Sequence, residues 1–406
     1  MTHYRVTPPP AIGGKRHFLF TWPYLLALGG FFLISTGGQF FILYPLELKE
    51  MGRNDMQIGF LMGLTSLAAF AGRPFFGGWI DRKGRKLFII IGSFTSGALI
   101  LLYPWLQASF FSLSLLRVVH GLFFALFFTA IWTWIADYVP QDRLAEGIGI
   151  FGIAGLSSNA TGPLAGEYMM RLANGNSALF FGGASLLVLL GSLCTLFLPA
   201  GNHHPGKAQS GFFGLLRRPE VLAVVFIAAV FGASIGAIHN FAAPYLKSAG
   251  LGSASSFFPY YAAGAILSRL VAGRAADRFG RVTVIIPGIF FQALGQLALA
   301  APWHIPQAIG FFLGCGHGIV YPAMNALMFE RAGTGDRGSG NALFTAAADA
   351  GSFVGSFLCG AIASGSGYAA MYIFSGIAAL AGLGLYRVME TWKSRAGAPK
   401  NEEPAD

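Results

Sequence analysis

Charge is what this 406-residue sequence has least of: Asp, Glu, Lys and Arg make up 11% of it, where an ordinary soluble domain carries about 25%. So few charges cannot cover a water-facing surface. With 54% hydrophobic residues and a mean hydropathy of +0.60, the composition excludes a soluble globular fold. Cysteine is nearly absent as well. Cys194, Cys315 and Cys359 lie inside apolar runs, spaced neither for a metal site nor for a disulfide framework, and read as packing residues. No Gly-x4-Gly-Lys-Ser/Thr loop is present to cradle ATP, which removes a primary pump. Neither HExxH nor a nucleophile elbow occurs, and no soluble segment is attached beyond a short linker, so an enzyme is not expected, a membrane-embedded enzyme or receptor is only the remote alternative, and no cofactor or resident metal is implied.

What the chain does have is long apolar runs. A bilayer core of about 30 Å needs roughly 20 helical residues, and twelve segments reach or approach that length: 22–48, 57–80, 87–106, 110–136, 144–170, 178–198, 221–246, 255–276, 282–301, 305–329, 340–364 and 368–389. The expected fold class is therefore an all-α integral membrane protein of twelve transmembrane helices. The first run is too long for a cleavable leader and lacks a small-residue cleavage site, so it reads as a retained helix.

If the spans alternate, Lys15, Arg16, the 82–86 cluster, Arg143, Arg217, Arg218, Arg278, Arg281, Arg331, Arg337 and Arg387 fall on one side, whereas the other receives only Lys49, Arg53, Arg171 and Lys247. By the positive-inside rule both termini are expected in the cytoplasm, in a bacterial inner membrane. The formal charge of +10 is thus topological. No soluble segment exists to present it to nucleic acid.

The chain is internally repeated. Gly77-Gly78-Trp79-Ile80-Asp81-Arg82-Lys83-Gly84-Arg85-Lys86 returns as Gly273-Arg274-Ala275-Ala276-Asp277-Arg278-Phe279-Gly280-Arg281, an offset of 277 − 81 = 196 residues, and Arg73 and Arg269 each stand four residues upstream. His120-Gly121 in the fourth span faces His317-Gly318 in the tenth, and Asp137 corresponds to Glu330. Hydropathy falls between Pro199 and Pro219, giving an N-terminal six-helix bundle at 1–200, a linker at 201–218 and a C-terminal bundle at 219–406. Six spans per half make the repeats parallel, related by an axis along the membrane normal.

The twin motif, Arg117-x-x-His120-Gly121, the following Asp137-Tyr138-Val139-Pro140-Gln141-Asp142-Arg143, and Gly162-Pro163-Leu164-Ala165-Gly166 together resemble the major facilitator superfamily, and within it bacterial drug or arabinose-efflux permeases. One position departs from the pattern: Glu167 stands where the antiporter-type motif closes with a second glycine. The resemblance implies transport of a small organic solute by alternating access, with efflux coupled to protons as the leading expectation and a proton-coupled importer or uniporter as the alternative. It also implies that the charged turns lock the cytoplasmic side, with Asp81, Arg82, Arg85, Asp137, Asp277, Arg278, Arg281 and Glu330 as gating residues. A monomer embedded in the lipid bilayer is expected.

Ionisable groups deep in a bilayer are the sharper functional signal, because each costs about 2.5 to 3.5 kcal/mol at a helix centre on insertion scales. Asp349 lies midway along the eleventh span, on one face with Thr345, Ser352 and Ser356, a position suited to loading and releasing a proton. Arg117 occupies the place where the resemblance implies a buried coupling arginine, with Gln39 and Glu167 as candidate partners; Glu167 could alternatively pair with Arg171. Arg73 and Arg269, near helix ends, are expected to snorkel. The resemblance puts the first, fourth, seventh and tenth spans around the pathway. That nominates Gln39, Tyr44, His120, Phe124, His239, Asn240, His317, Tyr321 and Asn325 for substrate contact, and His317, Tyr321 and Asn325 share one helix face. Small-residue packing is expected of Gly77, Gly78 and Gly273, and of a stripe at Gly152, Gly155, Asn159, Gly162 and Gly166.

Overall fold

The computed structural model describes residues 18–200, 211–301 and 305–396, apart from the side chains of Asp81, Gln141, Ala145, Thr334 and 393–396. The described residues contain helices and no strand, as they must if backbone polar groups are to be satisfied inside hydrocarbon. The first span is built from α1 (Trp22–Gly38), a 3-10 turn (Gln39–Ile42) and α2 (Tyr44–Glu50). Then come α3 (Asp55–Lys83), α4 (Arg85–Ile100), a one-turn α5 (Tyr103–Leu106), α6 (Phe110–Tyr138), α7 (Leu144–Ala173) and α8 (Ser177–Leu196). The second half holds a short α9 (Gly211–Leu215), α10 (Pro219–Ser248), α11 (Ala254–Phe279), α12 (Arg281–Ala300), α13 (Pro306–Ala332) and α14 (Arg337–Ala396). α14 contains two spans, broken at Gly367, whose φ of 83° no helix interior allows.

The chain thus forms twelve spanning segments in two six-helix bundles. Seven of the described helical stretches are long and apolar enough to cross a membrane by length and composition alone, one of them being the double span within 337–392. Two details differ from the sequence expectation. The third span is α4 followed by the separate turn α5, because Tyr103 and Pro104 restart a helix after Leu101 and Leu102 close the first. The expected linker contains α9, tethered where Gly211 N donates to Asp336; residues 201–210 lie outside the described part.

The repeated motif has a backbone reason. Gly84 and Gly280 carry φ of 90° and 87°, ending α3 and α11 and starting α4 and α12 at once. Only glycine takes that turn without strain. At the opposite end Asn54 and Ser253 cap the same two helices, Asn54 reciprocally with Gln57 and Ser253 with Ser256. Helix starts and stops of α3 and α11 are therefore written twice in the sequence.

Close packing follows the small residues. Across the halves, a side chain at Gly59 would strike the Ser356 carbonyl, one at Gly63 would meet Phe353, and one at Gly360 the Asp55 carbonyl. The α7 stripe packs as its spacing predicts: Gly155 on Phe31, Gly162 on Gln39, Gly166 on Leu43. Gly77, Gly78 and Gly273 do not. Nothing lies within 4 Å of a Cβ added at any of them, because the halves part at the end carrying the charged turns.

Candidate functional site

The described hydrogen bonds and ion pairs joining the two halves run from the end opposite the charged turns as far as Arg73 and Asp349, and none of them involves the charged turns themselves. At that far end Lys247 pairs with Glu50 at 3.0 Å, Tyr368 donates to Asp55 at 2.6 Å, and Met56 N donates to Ser364 Oγ at 2.7 Å. Lys49 meets the same Asp55 at 3.1 Å. Glu167 caps α11, accepting from Ser255 N at 2.9 Å and from its hydroxyl at 2.5 Å. The partners expected for Glu167, Arg117 or Arg171, are therefore replaced by a helix N-terminus of the other half, where a carboxylate is favoured by the unpaired N–H groups. The result is a sealed far end and an open basic end.

Deeper in, three contacts join the halves, one of them Ser66 Oγ donating to Ser352 Oγ at 3.2 Å. Arg73 Nε donates to Asp349 Oδ2 at 2.5 Å, with Nη1 reaching Thr129 Oγ1 at 3.2 Å. The Arg73 side chain is 8% exposed and that of Asp349 21%, so snorkelling is corrected: Arg73 points inward because a buried counter-charge is there to meet it. Its repeat mate Arg269 lies across Gly152 of α7, where an added Cβ would stand 2.6 Å from Nη2. Between α10 and α7, His239 Nε2 meets Asn159 Oδ1 at 3.0 Å.

Arg117 is placed differently from its expected partnership. Buried at 3% exposure, it donates to the carbonyls of Leu61 and Met62 at 3.0 and 2.9 Å and lies over the Phe41 ring. It staples α6 to α3 within the first half.

The nominated substrate residues separate into two groups. Tyr44 and His120 are buried inside the first half, Tyr44 donating to Gln107 at 3.4 Å and His120 Nδ1 meeting the Tyr103 hydroxyl at 2.9 Å. Those two face packing, not an opening. Gln39, Phe124, His239, Asn240, His317, Tyr321 and Asn325 are all partly exposed. Asn240 donates to Ser356 at 2.7 Å, His317 Nδ1 meets the Tyr261 hydroxyl at 2.6 Å, and Asn325 donates to Asn341 at 2.9 Å. The Tyr321 ring rests on Phe231 and Phe344, and the residue stands within electrostatic reach of Arg73, Arg269 and Asp349.

The charged turns form matching ion pairs: Arg85 with Asp137 at 2.9 Å, Arg281 with Glu330 at 3.0 Å. Both are internal to one half, joining α4 to α6 and α12 to α13. Asp277 and Arg82 are exposed, and Arg278 lies over Phe279 rather than against a carboxylate. The Asp81 side chain lies outside the described ones.

The Major Facilitator Superfamily profile matches this chain twice, over residues 25–268 and 238–405. The chain belongs to the major facilitator superfamily. Its curated relatives include the multidrug resistance protein MdtG of Citrobacter koseri, 26% identical over 400 residues covering 94% of this chain and 96% of that one. MdtG of Escherichia coli O81 is 25% identical over 402 residues, covering 95% and 96%. Among solved structures, a point mutant of the nucleoside transporter NupG superposes with a TM-score of 0.74 at 15% identity, covering 91% of this chain and all of that one. An inward-facing, unoccupied bacterial homologue of the human lysosomal transporter Spinster gives 0.67 at 18% identity, covering 97% and 100%. At those identities the structures establish the shared fold alone.

For a superfamily member, the residues that sequence reasoning missed are Arg73 and Arg269. The signal was present: both stand at the same place in the repeat, eight residues before the motif aspartate. Which of them finds a counter-charge is a property of the other half.

Proposed function

We propose that this protein is a secondary transporter that exports small organic solutes by alternating access in exchange for protons, with its basic end and both termini in the cytoplasm. In that orientation the structure is the inward-facing state. The bundles 1–200 and 219–406 are the moving bodies, and the monomer suffices because both lie in one chain. The relatives named for multidrug resistance support export; Arg73 bound to Asp349 across the two halves carries the coupling.

A carboxylate ion-paired at the midplane holds the halves together while it is ionised. Protonation removes its charge, and the Arg73 attraction falls with it. A proton arriving from outside, once the far end has opened, would neutralise Asp349 and loosen its hold on the first half; release to the cytoplasm would restore the pair. Solute release outward and proton release inward then alternate at one site. His239, Asn240, His317, Tyr321 and Asn325, with Gln39 and Phe124 opposite, supply the walls on which a solute can be held. Arg117 orders the first bundle, while Arg85 with Asp137 and Arg281 with Glu330 keep each charged turn rigid as it swings. The gating roles of Asp81, Asp277, Arg82 and Arg278 belong to the outward-facing state.

Everted membrane vesicles with an imposed proton gradient test this reading. Solute accumulation dissipating the gradient is the expected result for the wild type, with Asp349→Asn inserting normally but losing the response. Gradient-driven uptake by whole cells instead would make the protein an importer.

A further inference from the structure

The two repeats place an arginine at equivalent points, yet only one is neutralised. Arg73 has Asp349; the same 196-residue offset that relates Arg73 to Arg269 carries Asp349 onto Ile153, which has no charge to offer. Arg269 makes no ion pair among the described residues. It is partly exposed, at the seam between α11 and α7, with its guanidinium laid against Gly152. Uncompensated cations inside a membrane protein are costly and mark substrate or ion pathways.

Two donors without acceptors belong to residues connected to its surroundings. The Tyr321 hydroxyl makes no hydrogen bond among the described residues, and its ring lies beside His317, itself within electrostatic reach of Arg269. On the other half, the Trp132 indole N–H is buried without an acceptor. The Trp132 ring packs edge-on against Phe151, the neighbour of Gly152. Small size at 152 leaves the guanidinium room to sit there: any side chain would displace it.

We infer that Arg269 is the anchor for an anionic group, so that the solute belongs to the organic anions, carrying a carboxylate, sulfonate or phosphonate beside an apolar body. Arg269 supplies charge and two parallel N–H donors, the geometry that suits such groups. Tyr321 adds a hydroxyl donor from the same half, and the partly exposed rings of Phe128 and Trp132, backed by the buried Phe31 and Phe151, receive the apolar part. The inference rests on the transport reading for the solute to be cargo, but it concerns binding alone.

The test is therefore binding, independent of direction and coupling. Purified full-length protein in neutral phosphatidylcholine nanodiscs is titrated with benzoate, phenylphosphonate and naphthalene-2-sulfonate, against benzamide, naphthalene-2-sulfonamide and benzylamine, with thermal stabilisation and tryptophan quenching as readouts. The anions are expected to bind at least about tenfold tighter than the neutral or cationic analogues, one charge-assisted contact being worth that much. Arg269→Gln should erase the difference, Arg269→Lys should retain most of it, and Tyr321→Phe should weaken it about threefold. The Lys variant keeps the test open if the Gln variant fails to fold. Equal binding of anions and amides, absence of anion binding, or unchanged preference in Arg269→Gln overturns the inference. Displacement of the probes by phosphatidylglycerol would assign the site to a lipid headgroup and overturn it for the solute. Export failing in vesicles while anions still bind would sink the efflux reading and leave this one standing.

Discussion

Asp349 and Arg73 are 276 residues apart in sequence and 2.5 Å apart in space, and their partnership makes a residue-scale prediction sharper than loss of function. Removing one member of a buried pair leaves the other uncompensated and costs about 3 to 5 kcal/mol, whereas replacing both costs far less. Arg73→Gln and Asp349→Asn should each lower the midpoint of thermal unfolding in detergent, and the double variant should recover much of the loss. Additive losses would mean that the two groups do not hold each other. Asp349 was legible in the sequence because an acid in the middle of an apolar span has no bland explanation. Arg73 was not, since a cation near a helix end can snorkel, and only the position of α14 against α3 decides otherwise. Arg117 shows the converse: its burial was legible, but its acceptors are backbone carbonyls of Leu61 and Met62, which side-chain identities cannot reveal.

Elements were far more legible, because apolar length, glycine breaks and caps are local. Gly84 and Gly280 announce their turns through a motif written twice, and Asn54 and Ser253 announce the opposite ends of the same helices. What spacing could not tell is which glycines touch a neighbour in this conformation. In the α11 to α13 contact, side chains added at Gly264, Gly314 and Gly318 would strike the carbonyls of Phe311, Tyr261 and Ala265 in turn. These two helices approach backbone to backbone. Gly314→Val is expected to destabilise the protein by about 1 to 3 kcal/mol through overpacking, while Gly273→Ala, with open space around it, should leave the unfolding midpoint unchanged. The Gly273 variant is informative in a second way: slowed transport without loss of stability would show that this glycine contacts a neighbour only when the basic end closes. Equal destabilisation by both substitutions would refute backbone contact as the reason for the α11 glycines' partners.

At the scale of the whole molecule, the bonds between the halves are unevenly distributed, and that asymmetry defines what must break. Closing the basic end requires the far-end seal to open: Lys247 with Glu50, Tyr368 with Asp55, and Glu167 with the start of α11. Each is modest, and the exposed Lys247 pair is worth no more than about 1 kcal/mol, so the seal is strong enough to bias a state without trapping it. The close approach of α3 and α14 at Gly59, Gly63 and Gly360 lets this weak set suffice, because packed glycine surfaces separate without dragging side chains apart. A covalent link there should therefore stop the cycle. With Cys194, Cys315 and Cys359 first replaced by Ser, Glu50→Cys and Lys247→Cys joined by a reducible bifunctional reagent should cut transport at least tenfold, and reduction should restore it, since alternating access turns over only by exchanging the two states. The control joins Arg53→Cys to Ala108→Cys with the same reagent, both within the first half, where the Arg53 guanidinium donates to the Ala108 carbonyl at 2.8 Å, and should leave transport intact. If the cross-half link were tolerated, the solute would have to pass without the halves parting at that end, and the structure, joined at its far end, would not be one phase of a rocking cycle. The control decides whether any inhibition reflects restrained motion between bodies or mere modification of the surface.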